Sequence, residues 1–383
     1  MNESIWPSAP TLDALGLDIP IVQAPMAGAG SVALTQAVQA AGALGSLPCA
    51  TLNPTEIEAH LNTLKTSSEA PFNVNFFTHS ETPDSPNAQA HWRSTLSDEY
   101  KKWNINPSNQ IPSAPREAFN NTHCELIERY PPAVVSFHFG LPTADLVNRV
   151  KAAGSQVWSS ATTVEEARWL EDHGADAIIA QGVEAGGHRG LFLNPSDGTP
   201  ITHDKIDLIA HQVGTFSLVP QVVDAVTVPV IAAGGIADGR GVAAAIALGA
   251  SAVQIGTAFL FSQEATITPM HRQALLHGSA EKTILTNVFT GKPARSAVNH
   301  LVQQHGPMSH DVPSFPTAAT ALAPLKAAAE SKEKPDYSSL WSGQSAQLAV
   351  RLIDKHNASD QPPSATQLLQ WIARHAREVM LSD

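Results

Sequence analysis

Short apolar segments alternate along most of the chain with longer stretches that have the spacing of amphipathic helices. Eight apolar segments have the length of β-strands, and several are apolar without alternation, as in strands buried on both faces. These segments are residues 20–26, 44–49, 72–77, 133–139, 156–161, 177–182, 229–235 and 252–257. Because alternating strands and helices form parallel sheets, the pattern predicts an α/β fold of the (β/α)₈ type, the TIM barrel.

The connections between the predicted strands differ in length. One predicted helix over 163–172 begins at Thr163, a good capping residue, and ends before Gly174. Two connections are much longer, namely 78–132 and 188–215. Loops of such length in a compact domain are usually lids, binding loops or sites of additional helices.

The pattern changes after the eighth predicted strand and becomes mainly helical. We therefore predict a barrel over 1–262, with an excursion at 78–132, followed by a helical segment over 263–340 that caps the substrate end of the barrel. Residues 341–383 are expected to return to the barrel through an amphipathic helix near 362–380.

Composition and charge exclude several classes of function. Charged residues make up 15% of the 383 residues, below the ~25% typical of globular proteins, as expected for a tightly packed enzyme. The net charge of −12 argues against nucleic acid and anionic membranes as partners. Cys49 and Cys124 do not have metal-site spacing, and neither a secretion signal nor a membrane-spanning apolar run is visible. We expect a cytoplasmic protein without a metal.

The ends of the last two predicted strands have the features of a phosphate site. In TIM barrels, phosphate is often held by backbone amides after strands seven and eight. Here the seventh segment ends in Gly234 and Gly235, and the eighth contains Gly256 and Thr257. These residues could bind phosphate through their amides, although glycines also serve tight strand-to-helix turns.

Three other predicted strand ends carry Asn75, His138 and Gln181. A polar side chain inside a barrel is often a satisfied core group, and for His138 the two interpretations are balanced. Three such groups at one end of the barrel favour a ligand site.

A glycine-rich turn over 181–190 places His188 directly after the sixth strand. Its glycines predict a flexible backbone and an accessible imidazole, which could act as a general base or stabilise negative charge. The alternative is a loop histidine bonded to the backbone. Arg189 and the cations of 291–296 either attract an anion or form a solvated face.

A competing motif lies after the first strand. Residues 28–33 fit the G-x-G-x-x-A pattern of dinucleotide-binding folds. The acidic residue that such folds need at the end of the second strand is missing, because residues 48–50 read Pro-Cys-Ala. The motif therefore does not support a nicotinamide-binding fold.

Seven sequence motifs in the same order resemble the nitronate monooxygenases, formerly called 2-nitropropane dioxygenases, and in particular their class I pattern. The resemblance spans almost the whole chain and is most specific at 180–190. The motifs are residues 23–27, 73–77, 136–140, 180–190, 233–236, 254–259 and 341–344.

The resemblance implies an FMN-binding barrel with His188 as the catalytic residue. Pro25 and Met26 would lie beside the flavin ring, and His138 and Ser296 match substrate-pocket positions. The remaining cofactor-binding residues are then expected to be Asn75, Gln181, Gly186, Gly187, Gly234, Gly235, Gln254, Ile255, Gly256 and Thr257.

The resemblance also implies oxidation of alkyl nitronates, notably propionate 3-nitronate, by O₂ to a carbonyl product and nitrite. The partners would be this small anion and O₂, and both a monomer and a homodimer remain open. His188 would take the α-proton of a neutral nitroalkane or stabilise a preformed nitronate. The flavin would carry the redox chemistry.

Two other functions remain as alternatives. The flavin-dependent enoyl-acyl carrier protein reductases have a similar barrel and a comparable Gly-Gly-His turn, but they would need a nicotinamide site. The residues Gln181 and Arg189 and the motif at 341–344 are more similar to nitronate monooxygenases. A flavin-binding protein without turnover is the non-catalytic alternative.

Overall fold

The computed structural model describes residues 6–80, 85–107, 116–194, 198–199, 201, 206–277, 282–359 and 361–382. The strands, numbered in chain order, are β1 (Ile21–Gln23), β2 (Gly45–Pro48), β3 (Phe72–Phe77), β4 (Val134–His138), β5 (Gln156–Ala161), β6 (Ala177–Gln181), β7 (Gly187–His188), β8 (Val230–Ala233), β9 (Ala252–Ile255), β10 (Thr283–Thr286) and β11 (Ala294–Ala297). Each of the segments predicted as strands contains one of these strands.

Helices lie between the strands and after the last of them. The α-helices are α1 (Pro10–Asp13), α2 (Val32–Gln39), α3 (Pro54–Ser67), α4 (Pro86–Thr95), α5 (Ser97–Lys102), α6 (Asn121–Arg129), α7 (Ala144–Ala152), α8 (Val164–Asp172), α9 (Thr215–Val223), α10 (Gly239–Ala247), α11 (Pro269–Leu276), α12 (His300–His305), α13 (Ala319–Glu330), α14 (Ala346–His356) and α15 (Ala365–Leu381). Two 3₁₀ helices span Ile206–His211 and Thr257–Phe261. As predicted, Thr163 caps α8, since its hydroxyl accepts a hydrogen bond from the Glu166 amide at 3.1 Å.

Eight parallel strands of the described chain form a barrel. Around it the order is β1, β2, β3, β4, β5, β6, β8 and β9, and β9 pairs with β1. A parallel bridge between Val22 and Leu44 joins β1 to β2 and closes the sheet. The predicted TIM barrel is therefore confirmed.

The barrel strands are apolar on both faces because each face packs against a different layer. Ile178 lies in the outer core between the strands and the helices, whereas Ile179 lies in the inner core of the barrel. Helix α1 covers the amino-terminal end, where Leu12 joins the inner core and Gln156 Nε2 donates to the Thr11 carbonyl at 2.7 Å. The opposite end of the barrel, where the carboxyl ends of the strands lie, is the end at which a functional site is expected.

The segment 263–340 contains strands as well as the expected helices. Strands β10, β11 and β7 form an antiparallel sheet, in which β11 pairs with both others. Because β7 belongs to the connection after β6, this sheet joins the segment directly to the barrel. We call residues 263–340 the capping segment.

The excursion 78–132 carries α4, α5 and α6 in its described parts. Its helices contact the capping segment, since the Tyr100 hydroxyl donates to the Ala321 carbonyl at 2.5 Å. Glu99 accepts hydrogen bonds from the Tyr337 hydroxyl and from His300 Nε2. Among the described helices none is both long enough and apolar enough to span a bilayer.

Candidate active site

A cavity of about 440 Å³ lies at the carboxyl ends of the barrel strands and under the capping segment. Most of the residues predicted as site residues line it, and they come from strand ends that are far apart in sequence. These residues are Pro25, Met26, Asn75, His138, Gln181, Gly186, Gly187, His188, Gly234, Gly235, Gln254, Gly256 and Thr257. The common edge of the parallel strands brings them together.

Ile255 and Ser296 do not line this cavity. The Ile255 side chain is buried in the outer core, because neighbouring residues of a strand point to opposite faces. Ser296 is also fully buried, and its hydroxyl accepts from the Leu340 amide at 3.2 Å and donates to the Ala297 carbonyl at 3.0 Å. Its hydrogen bonds thus hold two parts of the chain together.

One wall of the cavity is made of exposed backbone. Gly234 and Gly235 both have positive φ, at +107° and +72°, a conformation that favours glycine and turns their peptide groups at the end of β8. A Cβ on Gly256 would make ordinary van der Waals contact with the Ala24 Cβ at 3.4 Å and with the Met26 Sδ at 3.8 Å, so this backbone borders the cavity without a clash. The Thr257 hydroxyl accepts from the Gly343 amide at 2.9 Å and retains its own proton for donation.

Two amide side chains at strand ends differ in how fully they are bonded. Asn75 Nδ2 donates to the carbonyl and the hydroxyl of Ser136, at 3.1 and 3.0 Å. Gln254 Oε1, in contrast, is buried without a hydrogen-bond partner among the described residues. An unpaired buried acceptor is costly, so Gln254 is suited to a ligand that donates a hydrogen bond.

His188 is held in a fixed backbone, which corrects the expectation of a flexible glycine turn. It lies on β7, paired with Ala294 of β11. Its carbonyl accepts from Gln181 Nε2 at 3.0 Å and from His138 Nε2 at 3.2 Å. Gln181 also accepts from the Gly190 amide at 2.9 Å. His138 and Gln181 therefore position the backbone of His188.

The His188 imidazole lies in a ring of aromatic side chains and is hydrogen-bonded to one hydroxyl. Its Nε2 is 2.9 Å from Thr290 Oγ1, and its ring centroid is 5.4 Å from that of Phe315 and 5.5 Å from that of Trp341. Burial, followed by the positive charge of Arg116, holds the pKa of His188 well below its ordinary value. The imidazole is consequently neutral at neutral pH and can accept a proton.

His138 is likewise neutral. Burial lowers its pKa to about 4, although its hydrogen bond to the His188 carbonyl acts in the opposite direction. Since Nε2 donates to that carbonyl, Nδ1 is the acceptor for the Ser160 hydroxyl, at 2.6 Å. The ring is thus fixed in one tautomer and one orientation.

The predicted roles of Arg189 and of Arg295, one of the two cations at 291–296, need correction. Arg189 is buried and donates to the carbonyls of Gln181 and Gly182, both at 2.6 Å. Arg295 Nε donates to the Val183 carbonyl at 2.9 Å. These guanidinium groups satisfy the backbone at the end of β6, so they form neither an anion site nor a solvated face.

Two residues that the sequence analysis did not single out are part of the site. Thr290 bonds to His188, and Arg116 lines the cavity from within the excursion, before α6. Neither has a strand-end position or a motif that marks it. Only the folded chain places them beside His188.

The residues present fit the FMN that the resemblance implies. The glycine backbone at β8 and β9 is suited to phosphate, and the unpaired Gln254 Oε1 is suited to a donor group of the cofactor. Pro25 and Met26 provide apolar surface for a flat ring on the adjacent wall.

The similarity of this chain to known proteins covers both the barrel and the capping segment. A family model described as nitronate monooxygenase matches residues 9–361. A nitronate monooxygenase of Paraburkholderia phytofirmans is 38% identical over 343 residues, which cover 89% of this chain and 90% of the relative. The crystal structure of a nitroalkane oxidase from Streptomyces ansochromogenes has a TM-score of 0.82 at 34% identity, covering 97% of this chain and 100% of that one. FabK from Thermotoga maritima has a TM-score of 0.64 at 26% identity, with 97% of both chains covered.

Proposed function

Because the chain belongs to the nitronate monooxygenase family, we propose that it is an FMN-dependent enzyme that oxidises alkyl nitronates with O₂. Family membership makes it an oxidoreductase. We propose propionate 3-nitronate as its substrate, with a carbonyl compound and nitrite as products. The observation that carries this proposal is the His188 imidazole, hydrogen-bonded to Thr290 in the same cavity as the glycine backbone of β8 and β9.

FMN would be held along the wall formed by β8 and β9. In this proposal the backbone of Gly234, Gly235 and Gly256 and the Thr257 hydroxyl bind its phosphate, while Gln254 accepts a hydrogen bond from the cofactor. Asn75 adds a polar group at the end of β3. Bound flavin supplies the redox chemistry between the nitronate and O₂.

His188 has two possible tasks that depend on the form of the substrate. With a neutral nitroalkane, its unprotonated nitrogen accepts the α-proton, and its low pKa keeps that nitrogen free at neutral pH. With a preformed nitronate, no proton is removed and the imidazole orients the anion. His138 and Gln181 hold the His188 backbone, so they position the base without needing to touch the substrate.

Anaerobic mixing tests the proposed reaction. We expect propionate 3-nitronate to change the visible spectrum of the purified, FMN-loaded protein rapidly, whereas NADPH alone leaves it unchanged. With O₂ present, nitrite should form in proportion to the nitronate consumed. Rapid reduction by NADPH, without any reaction of the nitronate, would overturn the proposal and favour a nicotinamide-dependent reductase.

The variant His188→Ala separates catalysis from flavin binding. It should remain yellow yet oxidise a neutral nitroalkane ~100-fold or more slowly, since a general base typically contributes at least that much. Oxidation of preformed nitronate should fall much less. His277→Ala, at an exposed histidine outside the cavity, serves as the matched control. If neither His188→Ala nor the wild type turns over any nitronate, the chain only binds flavin.

A further inference from the structure

Arg116 forms no salt bridge with any acidic side chain of the described residues. It lines the cavity, and its Nη1 nitrogen is buried without a hydrogen-bond partner in the described part of the chain. Its guanidinium lies 6.0 Å from the centre of the Phe315 ring. Burial lowers the pKa of Arg116, as expected for a cation removed from water.

An unpaired guanidinium inside a protein is costly, and proteins normally compensate it with a carboxylate or a phosphate. The other cavity cation, Lys326, has such compensation, since its Nζ lies 3.8 Å from Glu330 on the same helix. No described acidic side chain forms a salt bridge with Arg116. Its neighbour Glu117 instead accepts a hydrogen bond from Asn120 at 3.4 Å. A carboxylate-bearing ligand in the cavity would supply an anion for Arg116.

Arg116 and His188 line the same cavity and lie near the same aromatic cluster. Both lie against the Phe315 ring, which packs with Phe77 and Phe139, at centroid distances of 6.1 and 5.7 Å. The charge of Arg116 also acts on His188 strongly enough to lower its pKa. A short aliphatic chain in this cavity would have one end at His188 and the other at Arg116.

The chemistry at the two ends favours a carboxylate at Arg116. A planar guanidinium binds a carboxylate through two parallel hydrogen bonds. If Arg116 held the reacting nitronate instead, it would stabilise the very anion that must lose electrons and so oppose the reaction. His188, which is neutral, avoids this cost.

Resting on the function proposed above, we propose that Arg116 binds a carboxylate at the end of the substrate remote from the oxidised carbon. Arg116 thereby selects nitronates of short carboxylic acids over plain alkyl nitronates. It is a specificity-determining residue rather than part of the proton transfer.

The test compares two nitronates of equal chain length in the FMN-loaded enzyme. In Arg116→Gln, kcat/KM for propionate 3-nitronate should fall about 100-fold, the scale of a lost charge-assisted hydrogen-bonded pair, while kcat/KM for propyl-1-nitronate should change less than about threefold. Arg116→Lys should recover part of the loss, because it restores the charge but not the paired geometry. Lys355→Gln, at an exposed lysine, controls for net charge.

Several outcomes would overturn the proposal. Equal losses on both nitronates would mean that Arg116 supports the local structure or contacts the nitronate itself. Unchanged kinetics in Arg116→Gln would remove it from substrate binding. If Lys326→Gln, rather than Arg116→Gln, abolished the preference for the carboxylate, the anion site would lie at Lys326.

A binding measurement tests the role of Arg116 independently of the proposed reaction. Calorimetric titration with 3-nitropropionate and with 1-nitropropane needs no turnover. Wild type should bind the carboxylate-bearing compound more tightly, and Arg116→Gln should lose that difference. If neither nitronate were oxidised by wild type, the proposed function would fail, while equal binding of 3-nitropropionate by both proteins would contradict the role of Arg116.

Discussion

At the scale of single residues, the site depends on groups that burial holds in one protonation state. His138 and His188 are both kept neutral, and the hydrogen bond from His138 to the His188 carbonyl links their positions. Arg189, in contrast, is a buried guanidinium whose N–H groups donate to backbone carbonyls. Proton acceptance at His188 in the proposed reaction would create an imidazolium that the nearby charge of Arg116 repels.

Two glycines of the cavity should respond differently to the same substitution. A Cβ on Gly186 would lie 2.6 Å from the Gly343 nitrogen and 2.7 Å from the Ser342 carbonyl carbon, so Gly186→Ala must displace backbone. We expect it to reduce the free energy of unfolding by ~1–3 kcal/mol, as in other overpacked sites. Thermal denaturation of the flavin-free protein measures this change.

Gly256→Ala is the matched comparison. The added methyl group has room in the flavin-free chain, 3.4 Å from the Ala24 Cβ, so the free energy of unfolding should hardly change. FMN affinity should fall, because the methyl group occupies space proposed for the phosphate. Fluorescence titration with FMN measures it, and wild-type affinity in Gly256→Ala would exclude a phosphate site at Gly256.

At the scale of secondary-structure elements, the small sheet of β7, β10 and β11 connects chemistry to architecture. It fixes His188 opposite Ala294 and so joins the turn that carries His188 to the capping segment. A second connection runs from the excursion, where Glu99 bonds to Tyr337 and His300. These hydrogen bonds therefore hold the excursion and the capping segment together.

The contact between α10 and α15 gives a prediction about elements. A Cβ on Gly239, at the start of α10, would overlap the backbone of Ala376 and His375 in α15. Gly239→Ala should force the two helices apart and lower the midpoint of thermal unfolding by several degrees, through a loss of ~1–3 kcal/mol. Gly241→Ala, in the same helix, would bring a Cβ 3.3 Å from the Ile236 Cγ2 and 3.4 Å from its Cα, and should change the midpoint much less. Similar midpoints for both variants would show that α15 yields easily.

At the scale of the whole molecule, burial of neutral histidines makes stability depend on pH. Burial lowers the pKa of His271 to about 4, although its Nε2 donates to the Trp341 carbonyl at 3.0 Å. Because the folded pKa is depressed, the unfolded chain binds more protons below pH ~6.5, so stability falls as pH falls from there towards 4.

A variant isolates the contribution of this one group. Between pH 7 and pH 5, His271 should account for ~2 kcal/mol of the loss in the free energy of unfolding. Glu166, whose pKa burial raises, acts in the opposite direction, so the overall curve alone is not diagnostic. Urea denaturation of wild type and His271→Asn at both pH values should show a shallower pH dependence in the variant. Parallel curves would contradict a neutral, buried His271.

Much of the barrel and part of the site could be predicted from the sequence, because both depend on local patterns. Strand segments such as 229–235 are apolar over the length that a buried strand needs, and they formed the strands predicted. Residues at strand ends, among them Asn75 and Gln254, reach one cavity because parallel strands share a carboxyl edge. Topology alone brings such positions together.

Only the tertiary structure decided what those residues contact. The sequence marked His188 on a glycine turn, but pairing of β7 with β11 fixed its backbone, and Thr290, 102 residues later, bonds its ring. The sequence suggested that Arg189 attracts an anion or is solvated, whereas in the folded chain it donates to backbone carbonyls. Arg116 lies in no recognisable motif, and only the folded chain brings it to the cavity. The physical reason is that hydropathy periodicity records which face of an element is buried, whereas charge pairing and pKa depend on groups distant in sequence that only packing brings within a few ångströms.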